Sequence, residues 1–149
     1  MNLDVLMNFY RNDSRCNQIA EGLLLPQHTH FHLSGLQGSI SQFIIASVLE
    51  HPAAAHFNHL VILKDTEEAA YFQNSLQNIT HALDIFYSPS SFKNKKNFHL
   101  LNSSHVMLRT EALTKIAAGG NKKILVTYPE ALHEKVVIPK TLTKNIISI

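Results

Sequence analysis

The 149 residues are 45% hydrophobic and 16% charged, which suits one domain with a real core and is too apolar for a disordered chain. A formal net charge of +2 is too small to argue for nucleic acid by itself. The single cysteine, Cys16, excludes an internal disulfide and suits a reducing compartment. The first residues carry Asp4, Arg11, Asp13 and Arg15 without a long apolar run, so they do not read as a signal peptide. No apolar stretch approaches the roughly 20 residues needed to span a bilayer. A soluble cytoplasmic domain without a membrane partner is the default expectation.

In chain order, Leu3, Val5, Leu6, Phe9 and Tyr10 predict a short amphipathic helix. Asp13 or Ser14 then caps a second, which carries Cys16, Ile19, Ala20 and Leu23 and closes at Pro26. The alternation His28-Thr29-His30-Phe31-His32-Leu33 reads as a first strand. A Gly/Ser turn follows, then a helix through Phe43, Ile44, Ile45, Val48 and Leu49 to about Glu50, with its exit at His51-Pro52. His59 to Leu63 is a continuous apolar run, as in a buried parallel strand. Asp65 to Glu68 has the capping-box pattern, and Ala69, Phe72, Leu76 and Ile79 keep helical spacing behind it. Leu83 to Tyr87 reads as a strand, and Ser88 to Lys96 as a polar, basic loop.

A further helix starts at Ser103 or Ser104 and ends at Gly119-Gly120. Lys122 to Thr127 is the next strand, and Pro129 opens a short helix over Glu130 to Glu134. Val136 to Ile138 and Asn145 to Ile149 read as further strands. Strands alternating with helices mean an α/β fold with a mostly parallel sheet and right-handed crossovers. The whole chain reads as one domain, and its apolar final run as that of a segment from a longer protein.

The strand, glycine turn and helix around Leu33-Ser34-Gly35-Leu36-Gln37-Gly38-Ser39 have the order of a phosphate-binding loop. A working loop reads G-x-x-x-x-G-K-[ST]. With Gly35 as the first glycine, Ile40 stands at the second, Ser41 at the lysine and Gln42 at the Ser/Thr. Ile40 brings a branched Cβ where the backbone must approach phosphate. Ser41 lacks the lysine's charge, and the Gln42 amide is a poor substitute for a magnesium-binding hydroxyl. The expectation is a P-loop NTPase-like (RecA-like) frame with a vestigial loop, Gly35, Gly38, Ser39, Ile40, Ser41 and Gln42, holding no cofactor. The alternatives are an ordinary glycine turn, or a nucleotide-binding P-loop-type domain in which the backbone N–H groups of Gly38 to Ser41 still hold a phosphate, against which the missing lysine argues. No Walker-B acidic pair follows an apolar strand, because Val126 leads into Thr127 and Tyr128.

Together these segments resemble the N-terminal UvrB-like region of the bacterial transcription-repair coupling factors, the Mfd family. The residues that carry the likeness are the loop Leu33 to Ser39, Asp84-Ile85-Phe86-Tyr87-Ser88-Pro89, Val106 to Leu113 around Arg109, and Ile124-Leu125-Val126-Thr127-Tyr128-Pro129-Glu130-Ala131-Leu132. The stretch from Tyr87 to Ser103 is too short for the long aromatic hairpin with which UvrB probes damaged DNA. The resemblance implies a non-catalytic domain, joined to other domains of the same chain. The parent would displace stalled RNA polymerase from DNA with an ATP- and Mg-dependent translocase and recruit UvrA through a neighbouring inserted domain.

Other residues invite sharper chemistry. His28, His30 and His32 would share one face of a strand, where three imidazoles could ligate zinc, but no Cys or carboxylate lies close; solvated histidines are the plainer reading. Lys93, Lys95 and Lys96, with Lys122 and Lys123, could meet DNA phosphate, with Phe92 and Phe98 stacking on bases; the plainer reading is a solvated loop. Cys16 reads as a buried thiol, and Arg109 with Glu111 as a surface or interdomain pair.

Overall fold

The computed structural model describes residues 2–81, 83–94 and 97–136, with backbone alone for 93, 94 and 97–100. The elements are α1 (Leu3–Arg11), α2 (Ser14–Gly22), α3 (Ile40–Glu50), a 3-10 turn (Pro52–His56), β1 (His59–Ile62), α4 (Thr66–Ile79), β2 (Asp84–Tyr87), β3 (Phe92–Asn94), β4 (Asn97–Leu101), α5 (Ser103–Ala117), β5 (Lys123–Thr127) and α6 (Pro129–His133).

Among the described residues, the main sheet has three parallel strands in the order β1-β5-β2. The register pairs His59 with Ile124 and Val61 with Val126 on one side of β5, and Ile85 with Ile124 and Tyr87 with Val126 on the other. Side chains alternate across a strand, so Val61, Ile124, Val126, Ile85 and Tyr87 share one face. That face joins Ala46 and Leu49 of α3 and Ala69, Phe72 and Leu76 of α4 in the core. The opposite face of β5 carries Lys123, whose ammonium donates to the carbonyls of Lys115 and Gly119 at the end of α5. Helices therefore flank both faces, and the fold is α/β.

Local chemistry sets the boundaries. Asp13 caps α2 by accepting from the Arg15 N–H at 2.8 Å. Asp65 caps α4 by accepting from the Glu68 N–H at 2.9 Å, and the Glu68 carboxylate reaches back to the Lys64 N–H at 3.2 Å. Gly119 and Gly120, at φ 75° and 93°, end the α5 segment as predicted. The α1 and α2 helices pack on α3: Tyr10 stacks on Phe43 at 5.4 Å, Ser47 donates to the Tyr10 carbonyl at 3.0 Å, and Arg11 pairs with Glu50 at 2.8 Å.

Three expectations need correction. Residues 28–33 form no strand; every residue from Leu24 to Ile40 is exposed, and the segment is irregular up to α3. Its histidines at 28, 30 and 32 alternate with Thr29, Phe31 and Leu33, but among the described residues no neighbouring strand accepts it. The loop expected over Ser88 to Lys96 contains β3, which pairs antiparallel with β4, Phe92 opposite Leu101. The β1 strand is not buried on both faces, because Leu60 and Ile62 are each 53% exposed. Among the described residues it is an edge strand, with α3 and α4 behind it and β5 on one side. Of the strand expected from Val136 to Ile138 only Val136 is described, exposed and in no strand; the rest of it, and the strand expected at 145–149, lie outside the described residues.

Candidate functional site

Two places can be weighed: the glycine turn before α3, and the carboxyl ends of β2 and β5, where open α/β sheets place their ligands.

At the glycine turn, Gly35 and Gly38 adopt φ 74° and 56°, the left-handed region that favours glycine. A Cβ at either would meet nothing within 4 Å, so there is open space where each side chain would point. Ser39 is the N-cap of α3, but its side chain makes no capping bond. Ile40 is exposed. Ser41 donates to Gln42 Oε1 at 2.9 Å, and Gln42 is buried at 6% exposure. The residues at the lysine and hydroxyl positions of a phosphate loop thus bond to each other.

The carboxyl ends of β2 and β5 are closed by a polar network. Arg109 of α5 is 7% exposed. Its Nη1 donates to the carbonyls of Ala131 at 3.0 Å and Pro89 at 3.2 Å, and its Nη2 to that of Glu134 at 3.2 Å. Its Nε lies 3.5 Å from Glu134 Oε1. Glu134 Oε2 accepts from the Ser91 N–H at 2.8 Å and the Ser90 hydroxyl at 3.1 Å. The Tyr128 hydroxyl accepts from the Ser90 N–H at 2.9 Å, the Thr127 hydroxyl donates to the Ser88 carbonyl at 2.8 Å, and His105 Nδ1 bonds the Ser90 carbonyl at 2.9 Å. Burial pushes the Glu134 carboxyl up, but hydrogen bonds from Ser91 and Ser90 and the Arg109 charge outweigh it, and the group titrates below its ordinary value.

This network fastens the turn Ser88–Ser91, α5 and the end of α6 to one another. It uses its donors and acceptors internally, which makes it a structural clamp. Arg109 does not pair with Glu111, correcting the sequence expectation. Residues two apart on a helix do not face each other, and Glu111 is exposed. The signal that could have found the clamp is the stripe His105, Arg109, Ala112: its 4- and 3-residue spacing puts Arg109 on the inward face.

The other candidates do not converge. His28, His30 and His32 lie in the exposed irregular segment, where His28 and His30 line an open cleft of about 490 Å³ with Leu25, Pro26, Gln27 and Thr29. Among the described residues no group of three or more His, Cys, Asp or Glu side chains could hold a metal. Lys93 lies in β3, and Lys95 and Lys96 lie outside the described residues. Lys123 is occupied at the end of α5, and Lys122 holds a left-handed backbone with its N–H on the Phe57 carbonyl at 2.9 Å. Cys16 is buried, and burial pushes its thiol up against a weaker opposing bond from Ser47. No helix among the described residues is long and apolar enough to cross a membrane.

Searches of family models, curated proteins and solved structures give no match to this chain. The class of protein defined by the fold is therefore an α/β domain with a small parallel sheet, an open glycine turn and a closed polar clamp.

Proposed function

We propose that this chain is a non-catalytic interaction and scaffold domain, a P-loop NTPase-like frame that has lost nucleotide chemistry. The observation that carries the reading is the turn before α3. Gly35 and Gly38 take left-handed backbone in a turn that leads into a helix, while Ile40, Ser41 and Gln42 stand where the loop pattern needs glycine, lysine and a hydroxyl. The polar clamp supports it, because the end of the sheet where a ligand would sit is filled by the chain's own groups. The absence of a strand at 28–33 weakens the likeness to an intact NTPase.

The resemblance of Leu33–Ser39, Asp84–Pro89, Val106–Leu113 and Ile124–Leu132 to the coupling factors supplies the setting. The domain supports the UvrA-recruiting module of a cytoplasmic transcription-repair coupling factor. The parent clears stalled RNA polymerase from damaged DNA, and its ATP and Mg belong to motor domains elsewhere in the longer chain.

The test is thermal unfolding of this chain with millimolar Mg-ATP. A ligand at 100 times its dissociation constant stabilises by about 2.7 kcal/mol, a visible shift in a domain of this size. No shift is expected. A clear shift would return nucleotide to the mechanism. UvrA binding by this chain joined to the following domain tests the setting separately, and loss of binding when this domain alone is deleted is expected.

A second reading, direct contact with DNA, draws on the ribbon of β3 and β4 that carries Lys93. It predicts salt-sensitive DNA binding weakened by Lys95→Ala. Salt-independent binding, or none, removes it.

A further inference from the structure

Gly22 is the last residue of α2, and its backbone is not left-handed, so conformational freedom does not call for glycine there. Close approach does. A Cβ at Gly22 would stand 2.6 and 2.7 Å from Cζ and Cε2 of Phe31, and 3.8 Å from Cγ2 of Thr29. The first two distances are closer than a real Cβ comes, so the tip of the Phe31 ring lies on the bare backbone at the end of α2. The segment around it is held by little else. Every residue from Leu24 to Ile40 is exposed, and Phe31 is 47% exposed. Among the described residues no hydrogen bond or ion pair joins residues 26–36 to another part of the chain. Between Glu21 and Glu50 the sequence has no Asp, Glu, Lys or Arg, so no fixed charge stands there to supply one. Ile19, Gly22 and Leu23 of α2 share a cleft of about 260 Å³ with Leu25, Thr29 and Phe31 of the segment.

We propose that residues 24–34 form a strap, latched on α2 by the Phe31 ring over Gly22, that lifts off while α2 and α3 stay folded. Each end has a place to turn. At one end the chain leaves α2 through bonds from the Leu24 and Leu25 N–H groups to the Glu21 and Gly22 carbonyls, at 3.0 and 3.3 Å, and then reaches Pro26. At the other, Gly35 holds φ 74° with open space where a side chain would point. The fastening is apolar area alone, so the strap opens without breaking a hydrogen bond. Opening uncovers Ile19 and Leu23 and frees residues 28–33, whose backbone N–H and C=O groups have no bond among the described residues. The latch thus withholds a stretch with the alternation of a strand, because the side chain at its centre is held on α2.

Native-state proteolysis of the full chain tests the latch. Chymotrypsin cleavage after Leu33 is timed in the parent, Gly22→Ala, Phe31→Ala and the double variant. Each rate is divided by that of the same sequence as a free peptide of residues 24–40, which removes the protease's own preference. Cleavage of a segment that opens and closes quickly follows the population of its open form. In the parent the ratio should lie well below one. Gly22→Ala drives a Cβ into the ring tip, which swings away, so the ratio should rise at least about fivefold. The urea midpoint of Gly22→Ala should stay at or above the parent's, since alanine suits a helix better than glycine. Phe31→Ala should raise the ratio as much. In the Phe31→Ala background Gly22→Ala should change nothing, because its collision partner is gone. A parent ratio of one, an unchanged ratio in Gly22→Ala, or the same rise in both backgrounds overturns the latch. Should Gly22→Ala fail to fold, Phe31→Ala decides alone, and a ratio equal to the parent's sinks the idea.

Discussion

The glycine turn and the Arg109 clamp sit before and after the same sheet, yet they are built in opposite ways. The turn is spelled out in sequence, exposed throughout, and held by short-range bonds such as that from the Ile40 N–H to the Gln37 carbonyl at 3.3 Å. The clamp has no motif, is buried, and draws on residues from 88 to 134. A short motif advertises a backbone shape and says nothing about what that shape touches. A buried arginine advertises little in sequence but commits many groups once it is placed, because each must find a partner away from water.

The comparison breaks most sharply at Arg109. Arg109→Ala leaves Glu134 without its cation and the carbonyls of Pro89 and Ala131 without their donor. Removing one partner of a buried pair costs about 3–5 kcal/mol. Urea denaturation should give a midpoint far below that of the parent chain. Arg15 is also paired, with Asp13 at 2.7 Å, but it stands in solvent. Arg15→Ala should leave the urea midpoint close to that of the parent, because an exposed pair is screened by water. Equal effects of the two substitutions would mean that Arg109 is not buried as described.

Next in size is Glu134. Glu134→Gln keeps two side-chain polar groups but removes the charge that accepts from Ser90, Ser91 and Arg109, at about 1–3 kcal/mol. The sign of the pH dependence follows from the lowered carboxyl. The unfolded chain binds a proton here more readily than the folded one. The contribution is therefore complete above the unfolded value of about 4.3 and is lost as pH falls through the folded value. Unfolding curves from pH 6 to pH 3 should show this loss in the parent and a smaller one in Glu134→Gln.

Much of the frame was legible. The helices from Leu3, Ser14, Thr66 and Ser103 follow from apolar spacing, and caps such as Asp13 and Asp65 mark two of their starts. The β1, β2 and β5 strands follow from short apolar runs ended by Lys64-Asp65, Pro89 and Pro129. What failed was decided by neighbours that a local pattern cannot name. Residues 28–33 alternate correctly, but a strand needs another strand to bond. Ile62 is as apolar as Val61, but only Val61 faces α3 and α4. In the candidate site, Gly35 and Gly38 were legible because a left-handed backbone favours glycine. The joining of Arg109 to Glu134, across 25 residues of sequence, was not.

At the turn, effects are smaller because little else depends on it. Gly38→Ala meets no crowding, so its cost is the left-handed backbone alone, about 1–2 kcal/mol. Chymotrypsin at low ratio should cut after Phe31 or Leu33 before it cuts after Phe72, which is buried in α4. First cleavage at Phe72 would contradict the exposure of the segment.

The smallest expected effect is also the sharpest on function. Ser41 stands at the lysine position of the loop pattern, and its hydroxyl bonds the neighbouring Gln42 Oε1 at 2.9 Å. Ser41→Ala removes that single bond from a half-buried side chain, and the amide of Gln42 keeps its remaining groups. The change in stability should lie within about 0.5–1.5 kcal/mol, the usual net value of one hydrogen bond. In a true nucleotide site the same position carries the point charge on phosphate, and altering it would remove nucleotide-dependent stabilisation altogether. Thermal unfolding of Ser41→Ala and the parent, each with and without Mg-ATP, separates the two cases. In a scaffold, nucleotide shifts neither protein and the small difference between them is the same in both buffers. A shift in the parent that disappears in Ser41→Ala would mean that the open turn binds phosphate after all, with Ser41 contributing through its hydroxyl.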